Sequence, residues 1–134
     1  MCLTVKKLGS RKNIIVYKEL RKLNNMIPIL LSPYHAYIYE AGDTYPQYYV
    51  TQPRKGDLVF GGGLHAFVKK PKWTKLFCNS KDSVLLKIKV PSEDVVAFGV
   101  NNDVVVKRLH ITEKQYKKAI VWKKSNKKSR IIEA

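Results

Sequence analysis

The stretch that most limits how this chain can fold is Ser83–Val90, where Val84, Leu86, Ile88 and Val90 stand on alternate positions until Pro91 intervenes. A period of two puts these four apolar side chains on one face and Lys87 and Lys89 on the other. That is a β-strand with one side on a core, and the proline removes the donor that would extend it. Such a strand needs partners, and the chain offers several. Ile14–Tyr17, within Asn13–Leu20, is β-rich and reads as an early strand, with polar Arg21–Asn25 as the turn after it. Ile27–Leu31 is split by Pro28 and closed by Ser32-Pro33, so it reads as a short or edge segment.

Tyr37–Glu40 leads to Ala41-Gly42-Asp43, a turn signal, with Tyr48–Thr51 as the expected return strand and Pro53–Asp57 as a polar loop. Leu58–Phe60 and Leu64–Val68 flank Gly61-Gly62-Gly63, where the missing side chains let a backbone or a ligand approach closely. Asp94–Val100 and Asp103–Ile111 read as two strands joined by a hairpin turn at Asn101-Asn102. Pro71 opens a short middle helix, Lys72–Phe77, with Trp73, Leu76 and Phe77 on one side. Thr112 with Gln115 three residues on is a capping-box pattern, opening a C-terminal helix that runs to Trp122. The expected fold is α+β, mainly antiparallel sheet with the short middle helix and the C-terminal helix. A single compact domain, 1–122, precedes a basic and mobile tail, 123–134.

Charge says more about partners than about fold. Lys and Arg number 26 against 10 Asp and Glu, a formal net charge of +16, which attracts polyanions and speeds their encounter. No apolar run is long enough to span a membrane and Met1–Lys7 does not resemble a secretory leader, so a cytoplasmic protein is expected. Cys2 and Cys78 form neither a disulfide framework nor a zinc-ligand pattern. Between Glu19 and Asp82 the only acids are Glu40, Asp43 and Asp57, a poor supply for a hard metal or an acid/base pair, and no cofactor is expected.

Three groups of residues are candidates for binding. Lys87 and Lys89 on a strand, Lys107 and Arg108 on a later one, and Lys114, Lys117 and Lys118 on the helix merge into a phosphate-binding patch if the fold brings them together. Otherwise they are solvated lysines that confer solubility. Six of the eight tyrosines, Tyr34, Tyr37, Tyr39, Tyr45, Tyr48 and Tyr49, fall in one short segment, and Tyr37 and Tyr39 are the candidates to stack on a base. The alternative is that alternate tyrosines pack within a sheet. Gly63 and His65 mark a glycine turn entering a strand, where the imidazole would hydrogen-bond a ligand; the glycines have neither a Walker lysine nor dinucleotide-fingerprint spacing.

At Cys2-Leu3, Val16-Tyr17-Lys18, Ser32-Pro33-Tyr34, Tyr39 with Gly42 and Tyr45, and Gly63-Leu64-His65-Ala66-Phe67, the chain resembles a family of small phage and gut-bacterial proteins that open Met-Cys-Leu. The likeness runs from Cys2 to Ile111 and implies a viral or mobile-element setting, not an assigned activity. Val16-Tyr17 and Gly63–Phe67 are also similar in placement to ADP-ribosyltransferase-like folds, which implies a nicotinamide-dinucleotide cleft. The late catalytic glutamate of those enzymes has no counterpart in Asp103–Ile111.

The expected function is therefore a non-enzymatic binding protein that holds a phosphorylated ligand, nucleic acid or a nucleotide-like signal, on a basic, tyrosine-lined surface, with antagonism of host defence as a role. One alternative is an ADP-ribosyltransferase-like enzyme using His65 and Glu40. The other is an interaction protein that docks on an acidic host protein.

Overall fold

The structure, a computed structural model, describes residues 2–23, 29–32, 38–47, 53–60, 62–70, 83–122 and 131–133. In chain order the first strands are β1 (Cys2–Leu8), β2 (Ile14–Leu23), β3 (Ile29–Leu31), β4 (Ile38–Tyr39), β5 (Gly42–Thr44) and β6 (Leu58–Phe60). They are followed by β7 (Leu64–Phe67), β8 (Ser83–Val90), β9 (Val95–Gly99), β10 (Asp103–Val106) and β11 (Leu109–Ile111). Helix α1 (Glu113–Val121) and strand β12 (Ile131–Glu133) close the series. The α+β, mainly antiparallel class is as expected. Among the described residues α1 is the one α-helix, and the expected middle helix Lys72–Phe77 lies outside them.

The alternating strand β8 pairs antiparallel with β2 along its whole length, from Ile14 opposite Val90 to Arg21 opposite Ser83. The register sets Val16 across from Ile88 and Leu20 across from Val84, so the apolar faces coincide. Arg21–Leu23 does not turn, as its polarity suggested. It extends β2 and pairs with β3, because Leu20 and Lys22 keep the period and both are buried. The main sheet runs β12-β8-β2-β7-β10-β9-β1-β6, with β3 added to β2 and β4 to β3.

Both faces of this sheet are covered in its middle. The larger cluster includes Val16, Leu20, Val84, Leu86, Ile88, Val104 and Val106 beneath Leu109, Ile111, Ala119 and Trp122. The smaller one on the other face joins Leu3, Val5, Val59, Ala97 and Val105. Val104, Val105 and Val106 thus serve the two clusters by turns, which is why β10 is apolar without alternation.

The hairpin at Asn101-Asn102 forms as expected, with Asn102 at φ 59° and Val104 opposite Phe98. The strand expected over Asp103–Ile111 breaks, however, at Lys107-Arg108. Its second part, β11, leaves the main sheet and pairs with β5, Leu109 opposite Thr44 and Ile111 opposite Gly42. Gly42 therefore begins a strand paired to β11, and the return strand expected at Tyr48–Thr51 lies outside the described residues.

Helix α1 starts at its expected cap, with the Gln115 backbone N–H donating to Thr112 Oγ1 at 3.1 Å. The Gln115 side chain does not turn back to complete the box. It is wholly buried and donates to the Lys87 carbonyl at 3.0 Å and the Ile132 carbonyl at 2.8 Å. Those carbonyls belong to β8 and β12, which pair in parallel. The end of the chain, expected in a mobile tail, is thus a sheet strand at Ile131–Glu133, since Ile132 reaches the core and Gln115 clamps its backbone. The basic run Lys123–Arg130 lies outside the described residues.

Candidate functional site

Tyr39 is buried in the larger core cluster, so its ring is not a stacking platform; Tyr37 lies outside the described residues. What faces Tyr39 is Lys18. On the main sheet β2 exchanges one neighbour for another, pairing with β7 at Tyr17 and with β3 from Arg21 onward. In between, Lys18 points inward, its Nζ donating to the His65 carbonyl at 2.7 Å and lying 5.5 Å from the centre of the Tyr39 ring. Burial lowers the Lys18 amine from its ordinary value to about 8, opposed by the charge of Glu19. Lys22, on the same face, is also buried and donates to the Trp122 carbonyl at 3.2 Å.

His65 is buried as well. Its Nε2–H donates to the Gly62 carbonyl at 3.0 Å across the glycine turn, where Gly63 adopts φ 70°. The imidazole thus braces the turn from within, while Glu40, its expected partner in transferase chemistry, is exposed.

The lysines and arginine expected to form one patch divide. Lys87 is half-buried and pairs with Glu133 at 3.1 Å. Arg108 is held between two carboxylates, Nε to Asp94 Oδ2 at 2.9 Å and Nη1 to Asp43 Oδ2 at 3.6 Å. The hydrogen bond and charge of Asp94, with Asp43 behind them, push the guanidinium still further up. Arg108 ties β11 and β5 to the end of the main sheet and is not free for an anion. Lys89 and Lys107 are exposed, as are Lys114, Lys117 and Lys118, with Lys117 facing Glu113 at 3.9 Å one helical turn away. On the small sheet His110 Nδ1 lies 2.9 Å from Asp43 Oδ1, a cross-strand pair.

Asp43 and Asp94, at this end of β9 and β10, are therefore taken up. The opposite end of the same strands is different. There Val68 at the end of β7 donates its N–H to the Asn102 carbonyl, and Val100 donates to Thr4 of β1. Thr4 stands opposite Leu58 of β6, and the turn before β6 bonds to β1 twice, Val5 N–H to Asp57 and Gly56 N–H to Val5. Lys69 and Lys70, after β7, are exposed at this end, whereas Lys6 and the turn residues Arg54 and Lys55, also exposed, lie farther back along the strands, since Gly56 bonds to Val5 and Val5 stands opposite Gly99. Exposed Asp57 accepts from the Arg54 backbone N–H at 2.8 Å and shapes the turn before β6.

Asp103 also lies at this end but is buried, and burial pushes its carboxyl up against the pull of the Asp103 and Asn101 backbone N–H groups. It fills the space left by Gly99, where a Cβ would collide with the Asp103 carboxylate and the Leu3 side chain. These five cations stand in three separate segments, and no spacing in the sequence marks them out from the other lysines and arginines.

Among the described residues no group of histidine, cysteine and acid side chains could hold a metal ion, and no helix is long and apolar enough to cross a membrane. Comparisons with protein-family models, curated proteins and solved structures return no match.

Proposed function

We propose that this protein binds nucleic acid, with the exposed cations Lys6, Arg54, Lys55, Lys69 and Lys70 among its contacts. The observation that carries the reading is the unequal use of carboxylates. Asp43, Asp94, Glu113 and Glu133 are engaged by Arg108, Lys117 and Lys87, whereas these five cations make no ion pair among the described residues. Such unmatched charge costs self-repulsion, which a polyanion relieves while releasing its own condensed counterions. Relative to the sequence reading, the ligand class is kept and the residues change. Lys89 and Lys107 remain available, while Tyr39, His65, Lys87 and Arg108 serve the fold.

Fluorescence anisotropy with labelled oligonucleotides tests this. If five cations each neutralise one phosphate, affinity falls about 500-fold between ~50 and ~200 mM salt. Salt-insensitive binding, or none, refutes it.

A further inference from the structure

One part of the main sheet is covered unevenly: the face of β8, β2 and β7 turned away from the larger core cluster. There the register puts Lys87 and Phe67 on either side of Tyr17, and Lys89 opposite Ile15. Residues directly opposite share a face, as do residues two apart on one strand. Two positions inward along the three strands, Leu85, Glu19 and His65 are buried. Lys87, Tyr17 and Phe67 are half-buried, and Lys89 and Ile15 are exposed. Cover therefore falls away toward one end of these strands. The smaller core cluster shares this face, since Val105 stands opposite His65, but its described members come from β1, β6, β9 and β10. Tyr17 and Phe67 belong to neither cluster.

We infer that this area is a stacking platform for unpaired bases, on which single-stranded nucleic acid lays successive bases against Tyr17 and Phe67 and sets phosphates against Lys89, Lys69 and Lys70. The inference rests on the nucleic-acid reading above and adds the form of the ligand and the residues that recognise it.

Three observations favour it. Two rings side by side on neighbouring strands, partly open to solvent, offer the π-faces on which splayed bases stack. A duplex keeps its bases stacked within and would leave those rings unused. Cations border the rings on two sides. Lys89 lies on β8, and Lys69 and Lys70 follow Phe67 with Val68 between; all three are exposed and make no ion pair among the described residues. Lys87, beside Tyr17, is held by Glu133 and serves as part of the frame. Finally, Ile15 extends the apolar floor toward the open end, where a base or sugar can rest. An acidic peptide would satisfy the lysines but would make no call on paired rings.

The test uses the full chain with single-stranded DNA and RNA oligonucleotides and the matching duplexes. The tighter of the two single strands should bind at least about tenfold more strongly than its duplex. Phe67→Leu, which keeps an apolar group and removes the ring, should weaken that strand about tenfold and leave the salt slope unchanged. Phe67→Tyr should bind within about twofold of the parent. Tyr17→Leu and Tyr17→Phe should repeat the pattern. Lys89→Gln should reduce the salt slope and spare the single-strand preference. If the leucine variants fail to fold, photocrosslinking of the unaltered protein to 5-iodouracil oligonucleotides decides, with adducts expected on Tyr17 or Phe67. Equal or tighter duplex binding, affinity indifferent to loss of both rings, or adducts confined to other residues overturns the inference and leaves the nucleic-acid reading standing. Absence of binding to every oligonucleotide removes that reading too.

Discussion

Lys18 and Lys22 share the inner face of β2 with Val16 and Leu20, and both ammonium groups end on backbone carbonyls. A buried cation is costly, and the nearby charge of Glu19 offsets this only in part, so the Lys18 amine falls to about 8. The sign follows from linkage. Below about pH 8 both folded and unfolded chains hold the proton and the penalty is complete; between about 8 and 10.5 only the unfolded chain holds it, so stability rises with pH. We expect Lys18→Met to gain on the parent by about 3 kcal/mol more at pH 7 than at pH 10.5 in urea unfolding. A difference that does not change with pH would remove this account. At Gly99 the limit is steric, since a methyl group meets Asp103 and Leu3. Gly99→Ala should cost about 1–3 kcal/mol as overpacking, read as a lower urea midpoint at unchanged m-value.

Gln115 is where an element-level pattern took on a tertiary role. Its position after Thr112 identified the helix start, but its amide spans β8 and β12 and does not fold back on the helix. Gln115→Ala strips two buried carbonyls of their donor and should destabilise by about 2–4 kcal/mol. Faster hydrogen exchange at Ile131–Glu133 should accompany it, and unchanged exchange there would show that β12 does not depend on the clamp. Thr112→Ala removes only a cap and should cost about 1 kcal/mol. Elements with strong periodicity were readable: β8, the start of β2, the β9–β10 hairpin and α1. The misread ones were decided by partners far away in sequence. β5 is a strand because β11 lies beside it, and Arg21–Leu23 is a strand because β3 does.

Across the whole molecule, cations divide into those matched to acids and those with no ion pair among the described residues. Arg108 sits between Asp94 and Asp43, whereas Arg54 and Lys55 are exposed and make no such pair. The two kinds should respond oppositely to substitution. Arg108→Gln should lower the melting temperature by several degrees, through loss of the contacts that tie β5 and β11 to the sheet, and leave the salt slope of nucleic-acid binding unchanged. Arg54→Gln with Lys55→Gln should leave the melting temperature in place and reduce that slope by about 2. A slope that responds to Arg108 and ignores Arg54 and Lys55 would place the ligand elsewhere.

By itself the sequence determined local conformation and total charge. Alternation at Ser83–Val90, the capping residue Thr112 and the asparagine turn act over a few residues through backbone geometry and side-chain spacing, and a net charge of +16 is a sum that no fold alters. Only the tertiary structure decided which of those charges remain on offer. Lys18 and Lys22 are drawn inside, Arg108 and Lys87 are matched to acids, and five exposed cations from three segments make no ion pair among the described residues. The reason is physical: pairing, burial and proximity depend on strand register, and register is settled by the packing of both sheet faces at once.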